Sequence, residues 1–532
     1  MTNYILTIVD SGGIQEYIFG SNKLKQNLAA SYLVNAATRD WVKDSLDEIK
    51  VKHNIVGFDI DDPFSDEKIE SGNIDAEVIM AGGGNTQILF RDLDTAKNFS
   101  RTLSKKVLEE APGLKITIIH KSFDWDKEML GGANGVIDQI MKELARRKAR
   151  INPLPPLLGL GVTAQDIYTG LPVTEMNDGE GVSAEIAAKL DVVEKANERL
   201  KNFLKDVEGL GNYNFASKFE EMGQKEGESN YIAVVHADGN GMGNRIQAVG
   251  QMASDNRDYI TKMRAFSRSI RQAAVKTLKA TVEKLMDAVE DKDFRKHINV
   301  KDGVLPFRPI VFGGDDITFV TEGRLGLTLA AFYLQKFRGE EYADGKPAYV
   351  RAGVAVVKSH FPFARAYELA EALARSAKAR IKEVSPEGEA VAMDWHFASL
   401  GPIFSLGEIR EREYTTHDGK SLLMRPVLFG EYDDWRTWKN LKNLVKAFNE
   451  NEEWRERHNK VMHLRSALRQ GPEAVDRFRK AYSIERLPAI ENLDEKVQET
   501  GWVDGQCGYF DAIETKDFFI PIEQRQGARQ NA

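Results

Sequence analysis

The residues best equipped for chemistry in this chain stand in one hexapeptide, Phe312-Gly313-Gly314-Asp315-Asp316-Ile317. Two glycines in a tight strand-to-strand turn permit positive φ and leave room for a phosphate near the backbone. Two adjacent carboxylates there, flanked by Val311, Phe312, Phe319 and Val320, repel each other in a half-buried setting, and a divalent cation is the usual compensation. Asp238 closes an apolar run that starts at Tyr231, and a strand ending there would bring a third carboxylate beside the turn. Three carboxylates at one place suit two-metal phosphoryl transfer with Mg2+ or Mn2+, in which a 3′-hydroxyl attacks and pyrophosphate leaves. After Asp238 the loop Gly239-Asn240-Gly241-Met242-Gly243 enters a helix, so free N–H groups can face a triphosphate. A glycine loop alone is weak evidence, and both segments could be plain turns. The loop on a carboxylate-bearing strand, with the Gly313-Gly314-Asp315-Asp316 turn downstream, makes the case much stronger.

Two further side chains bear on this site. Lys378 lies in Ala372–Ile381, a helical stretch whose Leu373, Ala377 and Ile381 form an apolar stripe. From the edge of that stripe the lysine can reach over a sheet to a phosphate, or lie solvated on the helix rim. His236 sits in the apolar strand just before Asp238 and reads as a core histidine rather than a catalytic base.

The elements that must position these residues occur twice. Tyr4 to Val9 runs into Asp10, Gly12 and Gly13; Tyr231 to Val235 runs into Asp238, Gly239, Gly241 and Gly243. Each copy then has an apolar strand, a glycine turn and a second apolar strand, spanning Glu77–Phe90 and Arg308–Val320. Helical stretches follow at Thr95–Leu108 and Leu325–Phe337, then strands at Leu114–His120 and Tyr349–Lys358. This order predicts an α+β chain with two ferredoxin-like units, 1–126 and 224–395. Between them, 127–223 holds the basic run Arg146–Arg150, the Pro-rich Asn152–Pro156 and a helix expected over Ser183–Lys205; the basic run reads equally as a solvated face or a phosphate patch. The last part, 396–532, reads as mostly helical with a polar tail after Ile522. In the first copy Gly84 and Asn85 stand where Asp315 and Asp316 stand in the second, so its catalytic positions have decayed. If the copies pack through equivalent faces, the first would offer a nucleotide pocket without a metal.

Composition narrows the class. The 532 residues, 42% hydrophobic and 29% charged, suit several soluble globular domains. A formal net charge of −8 excludes a protein that coats DNA through bulk positive charge. The single cysteine, Cys507, can form neither an internal disulfide nor a Cys-rich zinc site, which points to a reducing cytoplasm. The N-terminus has no secretory signal pattern, and no apolar run is long enough to span a membrane.

Several segments resemble a known family. Gly13–Lys25 followed by Ala30–Leu33 is similar to the opening of the first palm domain in the large subunit of type III CRISPR effector complexes, the Csm/Cmr polymerase-cyclase family. His236–Gly243, Phe312–Asp316, Arg351–Lys358 and Ala370–Lys378 resemble its second palm. The resemblance implies a nucleotidyl cyclase that condenses ATP into cyclic oligoadenylate, an antiviral second messenger, alongside guide RNA, target RNA and other type III subunits. By position, Asp238 and Asp315 would be metal ligands, with Asp316 a third ligand or close support. The backbone around Gly239 would meet metal and phosphates, and Lys378 would be the phosphate-side lysine. The chain opens at the first palm without the family's His-Asp nuclease domain, so DNA cleavage is not expected. His417-Asp418 reads as a hairpin turn, and the 158–172 segment lacks the zinc-knuckle cysteines of many relatives.

Trp435, Trp438 and Trp454 among Lys and Arg residues read as core or subunit packing ahead of RNA contact. Three functions remain open from sequence: the RNA-controlled cyclase, a stand-alone palm-pair synthase of another nucleotide, and a non-catalytic RNA-protein scaffold.

Overall fold

Apolar strands covered on both faces organise the molecule, of which the computed structural model describes residues 3–58, 62–150, 161–223, 230–301, 303–398 and 405–522. The Pro-rich run 152–156, the start of the 158–172 segment and the tail after Ile522 lie outside the described residues. In β1 (Asn3–Gly12), Tyr4, Leu6 and Ile8 enter one core while Ile5 and Val9 enter another, the alternation of a strand buried on both sides. It pairs with β3 (Asn85–Phe90) and β4 (Lys115–Asp124), and β2 (Ala76–Gly82) lies outside β3, giving the antiparallel order β2-β3-β1-β4. Helices α1 (Ile14–Phe19) and α2 (Leu24–Thr38) follow β1, α3 (Leu93–Glu110) joins β3 to β4, and α4 (Val136–Arg150) leaves β4.

The helix expected over Ser183–Lys205 is two helices. Ser183 caps the first, Ala184–Asp191, by accepting from the Ile186 N–H. The chain then breaks at Val192, where two β-branched residues in succession disfavour a continuous helix, and resumes as α5 (Val193–Phe203).

The second sheet repeats the first and extends it. Its strands are β5 (Tyr231–Gly239), β6 (Phe307–Val311), β7 (Ile317–Glu322), β8 (Val350–Lys358), β9 (Ala392–Phe397) and β10 (Val427–Leu428), in the order β6-β7-β5-β8-β9-β10. Helix α6 (Met242–Gln251) and the 35-residue α7 (Asn256–Glu290) follow β5, α8 (Gly326–Arg338) follows β7, and α9 (Phe363–Val384) crosses from β8 to the parallel β9. Both sheets therefore carry the ferredoxin-like order, and the chain is an α+β palm pair. The last segment is helical at Trp438–Glu450, His458–Gln470 and Pro472–Ala481, yet it also lends β10 to the second sheet. Trp438 and Trp454 are buried there among apolar side chains. His417-Asp418 lies in a tight turn closed by the Gly419 N–H donating to the Thr416 carbonyl.

The two copies share their cores. Ala233, Val235 and Ala237 of β5 join the core of Leu6 and Ile8, whereas Ile232 and Val234 join that of Ile5 and Val9. The last helix of the second copy, α9, meets α1, with Phe19 stacked on Tyr367 at 3.7 Å. The segment entering the last helix of the first copy meets the start of α7, where the Leu130 N–H donates to Asn256 Oδ1 at 2.6 Å. No helix among the described residues is long and apolar enough to cross a membrane.

Gly353 of β8 fixes how closely α9 lies on the sheet. A Cβ there would fall inside the Ala370 carbonyl and 2.5 Å from the Ala374 nitrogen, both rigid helix backbone. Gly353→Val is expected to destabilise the protein by about 3 kcal/mol, read as a shift of the urea unfolding midpoint.

Candidate active site

Strand β5 places Asp238 at its C-terminal end because Ile232 to Ala237 are fully committed to the two cores. The last register pair between β5 and β7 is Ala237 with Ile317, so Asp316 stands one step on, across from Asp238. On the other side Arg351 of β8 is directly opposite Asp238. Facing residues on antiparallel strands project to the same side, so Asp238, Asp316 and Arg351 share the face under α9.

The turn expected from the glycines is present between β6 and β7, with Gly313 at φ +102°, a conformation that favours glycine. Asp315 folds over Gly239 so tightly that a Cβ on Gly239 would stand 3.0 Å from both its Cβ and its Oδ2. Asp316 curls back over the turn, its Oδ1 3.3 Å from where a Gly314 Cβ would be. Burial and the charge of Asp238 push the Asp315 carboxyl well above the usual range. Burial, then Asp315 and Asp238, push Asp316 up as well. Burial also raises Asp238, against the pull of Arg351 and Lys378. The structure thus brings together Asp238, Asp315, Asp316, Gly239, Gly313 and Gly314, with exposed Lys378 close enough on α9 to act on Asp238.

Among the described residues no group of three or more His, Cys, Asp or Glu stands in metal-holding geometry. Two features of the site bear on this. Asp315 and Asp316 are placed differently by the turn, Asp315 over Gly239 and Asp316 back over Gly314. Asp238 is also held by an ion pair from its Oδ2 to the Arg351 guanidinium. Arg351 further donates to the Gly239 carbonyl and to Asn240 Oδ1, both at 2.9 Å. In donor type and charge the residues nevertheless fit a divalent ion. They are hard oxygen ligands, and carboxyls driven up by burial and by neighbouring carboxylates are those a 2+ charge would stabilise.

The glycine loop divides into two parts. Asn240, expected beside the nucleotide, is buried and engaged within the protein: its N–H donates to the Tyr349 carbonyl and its side-chain amide to the Ala390 carbonyl, each at 2.9 Å. Its role is to tie the loop to the sheet. Gly241 at φ +67° is the N-cap of α6, and Gly243 in the first turn faces open space, leaving first-turn N–H groups for an anion. His236 is buried, bonded to Thr318 Oγ1 at 3.1 Å, and burial with Arg351 and Arg375 lowers its pKa to about 4, so it is a neutral core histidine at pH 7.

The first copy has the same geometry with the charges removed. Asp10 pairs in register with Asn85, whose Nδ2 donates to Asp10 Oδ1 at 3.3 Å, and Lys148 from α4 forms an ion pair with Asp10. Arg351 was not singled out for a role from sequence. The signal was available: it is a lone charge heading the apolar strand Ala352–Val357.

Residues 231–384 match the family described as Cas10/Cmr2, second palm domain. No curated protein matches the chain by sequence. Among solved structures, the Csm1-Csm4 cassette in complex with cA4 aligns at TM-score 0.55 and 16% identity, covering 97% of this chain and 70% of that one. The cassette with pppApA gives 0.54 at 15% identity, with 97% and 69% covered, and Csm1 of T. onnurineus gives 0.53 at 14%, with 97% and 70% covered. At such identities the likeness establishes the fold.

The raised carboxyls set a pH dependence. A folded-state pKa above the unfolded value means the native state holds more protons between about pH 4 and neutrality, so its stability falls as pH rises through that window. Replacing both Asp315 and Asp316 by Asn should raise the urea midpoint of the metal-free protein at pH 7.5 and change it little at pH 4. Parallel midpoint-against-pH curves for variant and wild type would contradict this.

Proposed function

We propose, from the premise that residues 231–384 are a second palm domain of the Cas10/Cmr2 family, that this chain condenses ATP into cyclic oligoadenylate as the RNA-activated large subunit of a type III CRISPR complex. The observation that carries the reading is the contrast between copies. In equivalent register positions one keeps Asp238, Asp315 and Asp316 at the electrostatic cost of crowding them, and the other has Asp10 neutralised by Asn85 and Lys148. A scaffold would have no reason to retain the costly set. Solved relatives of this fold were crystallised with ATP, linear adenylates and cyclic adenylates, and as cassettes with Csm4, which supports adenine nucleotides and a partner subunit.

In this reading Asp238, Asp315, Asp316 and the Gly239 carbonyl hold Mg2+ or Mn2+, which when bound supplies charge neutralisation at the reacting phosphate. The chain's own groups do the rest. First-turn amides of α6 near Gly243 and the ammonium of Lys378 orient the donor triphosphate, and Gly313 and Gly314 let it approach the turn. The first copy holds the acceptor nucleotide at a site already charge-balanced. The acceptor 3′-oxygen bonds to the donor α-phosphorus as the bond to pyrophosphate breaks. Guide and target RNA, with the other type III subunits, control the reaction.

The test is incubation with ATP and Mg2+ or Mn2+, with and without partner subunits and target RNA, followed by mass analysis of products. Cyclic oligoadenylate is expected, and a double Asp315→Ala, Asp316→Ala variant should lose at least about 10³-fold in turnover while unfolding cooperatively. No product under any condition would remove the enzymatic reading, and product without partners would move it to a stand-alone synthase.

A further inference from the structure

Helix α5 belongs to neither palm sheet, yet two of its residues touch the catalytic turn and a third holds the strand that enters it. It packs on α2 of the first copy, which itself meets the edge strand β6 of the second, and β6 runs directly into Phe312-Gly313-Gly314-Asp315-Asp316. At the start of β6, buried Arg308 donates to Asn197 Oδ1 at 2.6 Å. At its end, Arg199 Nη2 donates to the Phe312 carbonyl at 3.3 Å, and the guanidinium lies 4.5 Å over the Phe312 ring. Phe203, the last residue of α5, meets that ring edge-on at 5.0 Å, and its own ring would stand 3.4 Å from a Cβ on Gly313.

Arg199 is kept there at a cost. Burial, then the like charges of Arg39 and Arg271, push its pKa down to about 9, with only partial relief from Asp40. A cation placed among cations lowers stability, and such local conflicts are expected where a contact serves function. The carbonyl to which it donates opens the turn that carries Asp315 and Asp316.

We infer that Arg199 and Phe203 are positioning residues that clamp the Phe312–Asp316 turn, so that α5 sets the placement of Asp315 and Asp316 against Asp238. This rests on the cyclase reading for its consequence in turnover, but the clamp itself can be read without it. A turn released from its clamp shifts the carboxylates by a fraction of an ångström to an ångström, and displacements of that size cost about 10²-fold in rate.

The variants are Arg199→Gln, Phe203→Ala and Phe203→Tyr, in the full chain. Hydrogen exchange at the amides of residues 313–316 is measured with no ATP or metal, together with the melting temperature and, in the product assay, kcat and KM for ATP. Arg199→Gln should melt at or above wild type, because a repulsive charge is gone, while turn amides exchange at least about tenfold faster and kcat drops about 10²-fold with KM changed less than about threefold. Phe203→Ala should show the same exchange and kcat effects, and Phe203→Tyr should restore both. Wild-type turn protection in Arg199→Gln and Phe203→Ala overturns the inference. So does a fall in melting temperature that tracks the loss of kcat in Arg199→Gln, which would mark a merely structural residue. If wild type makes no product, the cyclase reading fails while the exchange data still decide the clamp.

Discussion

Negative charge crowded against a low-dielectric interior is the constraint around which this molecule is arranged. Asp238 ends a strand whose neighbours on both faces are core, and the Asp315-Asp316 turn is packed over it, so burial raises all three carboxyls and the charge of Asp238 raises Asp315 and Asp316 further. The guanidinium of Arg351, itself nearly buried, supplies one positive charge by ion pairing with Asp238 and gathers the Gly239 carbonyl and Asn240 at the same time. With Lys378 acting only from longer range, the three carboxylates keep an excess of the sign that hard divalent cations and phosphate-bearing substrates resolve together.

The duplication makes that constraint legible. In the first copy the same strand register survives without the conflict: glycine and asparagine replace the turn carboxylates, and Lys148 swings in from the helix after β4 to pair with Asp10. Lys378 occupies the corresponding helix of the second copy and contributes at longer range to Asp238. One ancestral layout is thus held in two electrostatic states. The paired apolar faces that both sheets feed into common cores lock the two states into one body, and the stacked Phe19 and Tyr367 carry the first copy up to the helix that roofs the second copy's site.

Support for the site comes from elements that look unrelated to it. Gly353 lets α9 lie flat on β8 and so bring Lys378, Glu371 and Tyr367 over the carboxylates. Helix α5, between the palms in sequence, is wedged against the turn that bears two of the three carboxylates. Even the last segment contributes, extending the second sheet through β10 and holding the end of α9 by the ion pair of Arg380 with Asp434.

By itself the sequence determined the palm repeat, the strand that carries Asp238, the Gly-Gly-Asp-Asp turn and the loss of its counterpart at Gly84 and Asn85. These follow from local periodicity and glycine placement, which a strand and a turn impose within a few residues. Tertiary structure alone decided which charges meet. That Arg351 faces Asp238 depends on register between strands more than a hundred residues apart, that Asp315 and Asp316 diverge depends on how the turn closes on Gly239, and that Asn240 is structural depends on Ala390 and Tyr349. The strand at Val427–Leu428 escaped a local reading for the same reason: it is settled by its pairing with β9, and a one-dimensional pattern does not carry that information.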